Sequence, residues 1–369
     1  MTILDIAVPA ASPSFLQILW LILVAVLWIG FFFLEGFDFG VGMLVPFLGK
    51  TDQDRRLVIN TIGPHWDGNE VWLLTAGGAM FAAFPGWYAT LFSGLYLPLF
   101  LVLLGLIVRG IAIEYRSKRE DATWRNAWDW ALAVGSFLPA LVFGVGFANF
   151  LKGLPVGPHT TVFGNTVTLY TGTFWGLFMP FCLIGGLLFV ALFLTHGAFF
   201  VSLKTTGPIH DRASTVGGNL ALVTGVLAIA LVIWGNIAYK LPGQVGWLMV
   251  AAWITGILAI VSVGFAWFMN SRGRDGWAFV GTAVATVTLI VMFFCHFYPS
   301  LGFDNSRNTG ISLDLTTASS SSLTLTIMSW VALFLVPVVL AYTAWSYFFV
   351  FRRRLSTKNI PALDVTTAS

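Results

Sequence analysis

Nine stretches of this sequence are each long and apolar enough to cross a lipid bilayer, and any fold of the chain must bury them in lipid or in one another. They lie near residues 15–47, 56–84, 87–109, 124–150, 172–203, 213–238, 247–269, 276–299 and 322–351. Water is absent from the bilayer core, so every backbone N–H and C=O there must be paired within the protein, and uninterrupted apolar runs of about 20 residues do this as helices. Charge is correspondingly scarce. Only 9% of the 369 residues are Asp, Glu, Lys or Arg, while 57% are hydrophobic; an average soluble domain carries roughly 25% charge. A water-soluble fold of this size is therefore excluded. The 38 glycines suit close helix packing in lipid and the 16 tryptophans suit the membrane interface. The net charge of +3 is spread thinly, with no basic run that would engage a nucleic acid. The segment Met1 to Ser14 has no Lys or Arg, and the run that follows is too long for a cleaved signal, so it reads as a retained span.

Loop charge gives the orientation. Sixteen Lys and Arg residues follow odd-numbered spans, among them Lys50, Arg55, Arg116, Lys204, Arg272 and Arg352. Only Lys152, Lys240 and Arg307 follow even-numbered ones. The expected arrangement has the N-terminus outside and the C-terminus in the cytoplasm. Pro85-Gly86 is expected to make a tight turn between the second and third spans. The two longest extramembrane stretches, near 151–171 and 300–321, read as ordered loops or short extended structure on the outer side. The mixed-charge stretch from Glu114 to Asp121 reads as a solvated loop, and Trp124 to Trp130 as interfacial anchoring. No internal repeat and no soluble domain is visible.

The residues that carry chemistry are those that do not belong in hydrocarbon, since an ionisable group inside a span faces a partner or a watery path. The first span contains Glu35 and Asp38, the latter about 10 Å past its middle on the cytoplasmic side. The second reads Pro64-His65-Trp66-Asp67-Gly68-Asn69-Glu70-Val71-Trp72. Asp67 lies on the order of 17 Å inward from the cytoplasmic start of that span. Asp67 and Glu70 are three apart and share a helix face, while His65 and Asn69 are four apart and share another. Pro64 removes a backbone hydrogen bond and should kink the helix, which suits a segment that holds water. Two carboxylates at this depth cannot easily both be ionised, so they are candidates for proton uptake and release. Arg109, at the inner end of the third span, is the expected cationic partner of Asp38 or Glu35.

Metal ligation finds little support. Of the five histidines, His159 and His210 fall in loops, and His65, His196 and His296 lie at different depths, so no pair is placed to clamp a heme. There is no heme-attachment motif and no Cys-x-x-Cys; Cys182 and Cys295 sit singly in apolar runs and read as buried membrane cysteines.

The segments Glu35 to Met43, Asn60 to Trp72 and Thr75 to Pro85 resemble subunit II of cytochrome bd-type quinol oxidases. The similarity continues through Glu114-Tyr115-Arg116-Ser117-Lys118 and Trp124 to Trp130, and returns at Asp275 to Phe279 and Ser321 to Tyr347. The resemblance implies an all-α integral membrane protein of nine transmembrane helices. These would form two four-helix bundles (15–150 and 172–299) and a peripheral ninth helix (322–351). It implies a terminal oxidase of the respiratory chain, in a bacterial cytoplasmic membrane, that oxidises quinol and reduces dioxygen to water with protons taken from the cytoplasm. Subunit I of such enzymes holds two b-type hemes, one d-type heme and the quinol site. Subunit II is expected to ligate no heme or metal, to support subunit I and to line a proton path. A small accessory subunit and a structural quinone occur in some members. Asp67 matches the family's membrane-embedded proton-path carboxylate, and Asp38 and Arg109 match positions tied to assembly of the heme centre. Glu70 stands in the same motif where a neutral amide is also compatible, and Glu35 and His65 flank these positions. The alternative from another class is a proton-coupled secondary transporter, for which only one broken polar segment, around Pro64, can be found. A self-sufficient heme carrier is a third reading.

Overall fold

The computed structural model describes residues 12–160, 164, 166–241, 243–305, 312–350 and 353–360. Arg307 and Arg352 of the orientation count, and the first eleven residues, lie outside them.

The first long apolar run forms α1 (Phe15–Leu48), opened by a capping box in which Ser14 and Gln17 satisfy each other's backbone N–H groups. Its 34 residues extend about 50 Å, more than a bilayer core is thick. The second apolar run is not one helix. It divides into α2 (Asp52–Ile62) and α3 (Trp66–Ala83), separated by a turn at Gly63, Pro64 and His65. The kink expected from Pro64 is thus a full break. The Pro85-Gly86 pair does not make a tight turn: Pro85 opens a separate short helix, α4 (Pro85–Gly94), because proline's fixed φ and missing N–H suit the first helical position. The long helix in the third apolar run therefore starts later than the run itself, as α5 (Tyr96–Tyr115).

The remaining helices follow the apolar runs: α6 (Ala122–Lys152), α7 (Pro180–Lys204), α8 (Pro208–Ala238), α9 (Gly246–Ser271), α10 (Asp275–Phe297) and α11 (Ser322–Trp345). Among the described residues, eight helices are long and apolar enough to cross a membrane. α3, which carries Asp67 and Glu70, is not among the eight, although it occupies the second apolar run. The chain is an all-helical, multi-pass membrane protein.

The loops near 151–171 and 300–321 come together as one small sheet. Strand β1 (Leu154–Thr160) pairs antiparallel with β2 (Thr166–Tyr170) and parallel with β3 (Phe303–Asp304).

Helix α1 is the hub, packing against α3, α6, α7 and α10. Its approach to α7 is set by Gly40 and Gly197. A Cβ on Gly40 would lie 1.8 Å from the Phe193 carbonyl oxygen, and one on Gly197 would lie 2.6 Å from the Gly40 carbonyl carbon. A second close crossing joins α5 and α6, where a Cβ on Gly135 would meet the Gly105 oxygen at 2.8 Å and the Arg109 nitrogen at 2.9 Å. That contact fixes the depth and bearing of Arg109. Phenylalanine rings fill the space around α1: Phe32 stands edge-on to Phe143, Phe147 and Phe189 at centroid distances of 5.1 to 5.6 Å.

Helix α11 stands apart. Leu325 is its one buried residue among those described. Its N-terminal end is held by Trp20, whose Nε1 donates to the Leu325 carbonyl and to Ser329.

A valine at position 40 has no room unless α1 and α7 separate, and overpacking of this kind costs about 1–3 kcal/mol or more. Gly40→Val should lower the melting temperature and yield of the detergent-solubilised protein. Gly264→Ala, where a Cβ meets nothing within 4 Å, should leave both unchanged.

Candidate functional site

The polar residues picked out from the sequence converge where α1, α3 and α5 face one another. Glu35 and Asp38 are three residues apart on α1 and share a helix face. Both are fully buried, as is Arg109 from α5. The Arg109 Nη1 contacts Glu35 Oε1 directly and lies 3.3 Å from Glu70 Oε2 on α3. Its partners are thus Glu35 and Glu70, while Asp38 is held otherwise. Aromatic faces complete the enclosure: the Phe39 ring centroid lies 5.1 Å and the Trp66 ring 5.8 Å from the guanidinium carbon. The fully buried Glu35, Asp38 and Arg109 would each be costly to bury singly, and the pairing of Glu35 with Arg109 lowers that cost.

Asp38 is reached from α3. Asn69 Nδ2 donates to Asp38 Oδ2 at 2.7 Å, and the Asn69 Oδ1 accepts from the Tyr347 hydroxyl at 2.8 Å. Tyr347 follows α11 in a short π-helical turn, Ser346–Val350. Its ring stacks on His65 at 4.2 Å with the planes 9° apart. His65 and Asn69 do share a face, as their spacing required, and both meet Tyr347. Asp38 Oδ1 and the Nε and Nη2 of Arg109 have no hydrogen-bond partner among the described residues.

Asp67 is placed differently. It is exposed on the surface of the chain, one helical turn from Glu70. Both line a cavity of about 870 Å³ between α3, α4, α5 and α6. This cavity exists because α3 and α5 are held apart, while α1 packs on α3 and α5 on α6. Its wall is apolar apart from the two carboxylates and a few tryptophans. Trp87 among them is buried, and its Nε1 has no partner among the described residues.

A second ionic cluster lies at the charged end of α5 and α6, and here the sequence reading needs correction. Arg116 is buried rather than part of a solvated loop, because it pairs with Asp129 and Asp52. Asp129, in the stretch read as interfacial anchoring, is fully buried and also binds Arg55 at 2.8 Å. Arg125 completes the group by pairing with Asp52. Loop charge alone did not reveal this, because each of these acids comes from a different helix than its base or from a distant turn. The one signal was an aspartate inside the Trp128-Asp129-Trp130 run.

His196, His296 and His210 are engaged within the chain. His196 contacts Thr282 Oγ1 through Nδ1 at 2.7 Å and the Phe33 carbonyl through Nε2 at 3.2 Å. His296 uses both ring nitrogens, towards Asn236 and Gln244. His210 lies between Asp211 and Asp275. Among the described residues no group of three or more His, Cys, Asp or Glu could hold a metal ion.

A family model described as cytochrome bd terminal oxidase subunit II matches residues 16–350. The chain belongs to this family. It is 38% identical to cytochrome bd-I ubiquinol oxidase subunit 2 of Escherichia coli (strain K12), over 92% of this chain and 95% of that one. It is also 38% identical to cytochrome bd ubiquinol oxidase subunit 2 of Bacillus subtilis (strain 168), over 92% and 97%. The bd oxidase of Geobacillus thermodenitrificans contains a chain with the same fold, at a TM-score of 0.71 and 18% identity, covering 91% of this chain and all of that one. The chain is therefore a subunit of a bd-type terminal quinol oxidase, and as subunit II it works in a complex with a subunit I. Family membership places hemes in that complex. It displaces both the transporter and the lone heme-carrier readings.

Replacing Arg109 by methionine would leave Glu35 buried without its cation, and breaking a buried pair in this way costs about 3–5 kcal/mol. Arg109→Met should sharply lower the thermal stability of the purified complex. The double variant Arg109→Met/Glu35→Gln should recover much of the loss.

Proposed function

We propose that this subunit holds no heme, supports the heme-bearing subunit I and lines a cytoplasmic proton path to the oxygen-reducing site. In this reading the chain crosses a bacterial cytoplasmic membrane nine times, with the N-terminus outside and the C-terminus inside. α3 makes the second crossing despite its carboxylates. The helix contacts support two four-helix bundles, α1, α3, α5 and α6 in the first (15–150) and α7 to α10 in the second (172–299), with α11 (322–351) as the peripheral ninth helix. The two b-type hemes, the d-type heme and the quinol site then belong to subunit I. Quinol and dioxygen are substrates of the complex.

The observation that carries the proton path is a line of ionisable groups through the first bundle: Asp38, Glu35, Arg109, Glu70 and Asp67. One guanidinium meets the carboxylates of Glu35 and Glu70, with Asp38 one helical turn from Glu35, so the cluster has more carboxylates than cations and is suited to hold a proton. Buried polar atoms such as Asp38 Oδ1 and Arg109 Nη2 call for water, which would connect the groups. Protons enter near Asp38, with His65 beside it, pass along this line to Asp67, and leave from its exposed carboxylate towards subunit I. Arg109 and Glu35 act in this reading as the charge pair that shapes the path and supports assembly of the heme centre.

The cavity beside Asp67 fits the structural quinone that the resemblance allows. Its apolar wall suits an isoprenoid chain, and the unpartnered Trp87 Nε1 is a donor that a quinone carbonyl could accept.

Asp67→Asn removes the proton carrier and keeps the shape. Quinol-oxidase turnover of the purified complex should fall on the order of tenfold or more, while the reduced-minus-oxidised heme spectrum stays that of the parent. Full activity in this variant would remove the proposed path.

A further inference from the structure

The segment that follows the peripheral helix α11 reaches the surroundings of the polar line through Tyr347, which meets Asn69, His65 and Phe37. The helix is otherwise almost wholly exposed, so its inner end is not held by apolar packing along its length. At that end the backbone widens into the π-helical turn Ser346–Val350. Such turns recur at functional sites, because they move a side chain out of the regular helical register. The side chain so moved is Tyr347.

Its ring has little freedom. It lies flat on His65, and Phe37 meets it edge-on at 6.4 Å with the planes 89° apart. The hydroxyl is thereby delivered to Asn69 Oδ1. An amide side chain can present either its oxygen or its nitrogen to a neighbour, and its own hydrogen bonds decide which. With its oxygen accepting from Tyr347, Asn69 must turn its Nδ2 towards Asp38, where it donates to Oδ2. One oxygen of Asp38 is thus capped, and Oδ1, with the Glu35 carboxyl beside it, is the oxygen left without a hydrogen-bond partner among the described residues.

We propose that Tyr347 is a positioning residue of the proton path: it fixes the orientation of Asn69, so that Asp38 accepts a hydrogen bond at Oδ2 and exchanges protons only at Oδ1. This rests on the proton-path reading above and extends it to the ninth helix. Without the hydroxyl, the Asn69 amide can turn its oxygen towards Asp38. That arrangement suits only the protonated acid, and proton exchange at Asp38 is slowed. Glu35 and Arg109 on one side and Lys204 near His65 on the other are unchanged by this flip.

Tyr347→Phe keeps the ring, its stack on His65 and the contact with Phe37, and removes only the hydroxyl. The purified complex should retain its hemes, turn over about three- to tenfold more slowly and show a larger solvent deuterium isotope effect. Asn69→Ala should show the same two changes, and the double variant should be no slower than the worse single one. A merely anchoring tyrosine would alter yield or melting temperature and leave the isotope effect alone. Parental turnover, an unchanged isotope effect or additive losses in the double variant would each overturn the proposal. Should the phenylalanine variant fail to assemble, Asn69→Ala, which leaves Tyr347 in place, decides by the same two readouts. Asp67→Asn separates the two claims. If it is slow while Tyr347→Phe is not, the path stands and only the role of Tyr347 falls. If Asp67→Asn is fully active, the path itself falls.

Discussion

A single buried guanidinium organises the first half of this protein. Arg109 lies among apolar helices with no exposed surface, and an isolated charge there would cost many kcal/mol. It is tolerable because Glu35 of α1 and Glu70 of α3 reach it, and because the Phe39 and Trp66 rings face it. Those contacts tie three helices together at one depth. The glycines at 105 and 135 let α5 approach α6 closely enough to hold Arg109 in place. Packing and charge therefore depend on each other: without the close crossing the arginine would not reach its partners, and without the arginine the carboxylates could not stay buried.

The same arrangement explains why the helix carrying the chemistry is discontinuous. A straight helix through 52–83 would commit every backbone group to its own ladder. The break at Gly63 to His65 frees the start of α3, so that His65 and Asn69 face the protein interior, while Asp67 is exposed and the half-buried Glu70 reaches from the same cavity to Arg109. Chain breaks of this kind are tolerated at membrane depth where they are buried in protein or line a cavity, and α3 does line one. α3 stays clear of α5 along that cavity, so the first half is looser than the second, in which α7 to α10 pack in sequence. Membership in an oxidase subunit II family agrees with an exposed, apolar flank next to Asp67, since such a chain works against a partner subunit.

The charged residues at the ends of α5 and α6 illustrate a different physics. Arg116, Asp129, Asp52, Arg55 and Arg125 form a network in which each acid meets two bases. Networks of bidentate arginine–carboxylate contacts are more than the sum of surface pairs, because burial reduces screening and shared partners reduce the entropy lost per contact. This network clamps the turn between α5 and α6 to the start of α2. It holds the approach to the polar line in one shape.

The membrane class, the apolar runs, the polar segment at 64–70 and the candidate carboxylates and arginine are all legible in the order of the amino acids. These follow from local physics: apolar length against bilayer thickness, proline and glycine against helix continuity, and the rarity of charge in hydrocarbon. The family motifs between Glu35 and Pro85 were legible for the same reason, since they are contiguous. Only the tertiary structure decided the pairings. That Arg109 binds Glu35 and Glu70, that Asn69 reaches Asp38, that Asp129 is buried with Arg116, and that Tyr347 arrives from 278 residues away all depend on which helix faces lie together. Helix spacing tells which residues share a face, but not what that face meets. The glycine contacts of α1 with α7 and of α5 with α6 contribute to that choice, because they fix how closely those backbones approach and so where Glu35 and Arg109 stand.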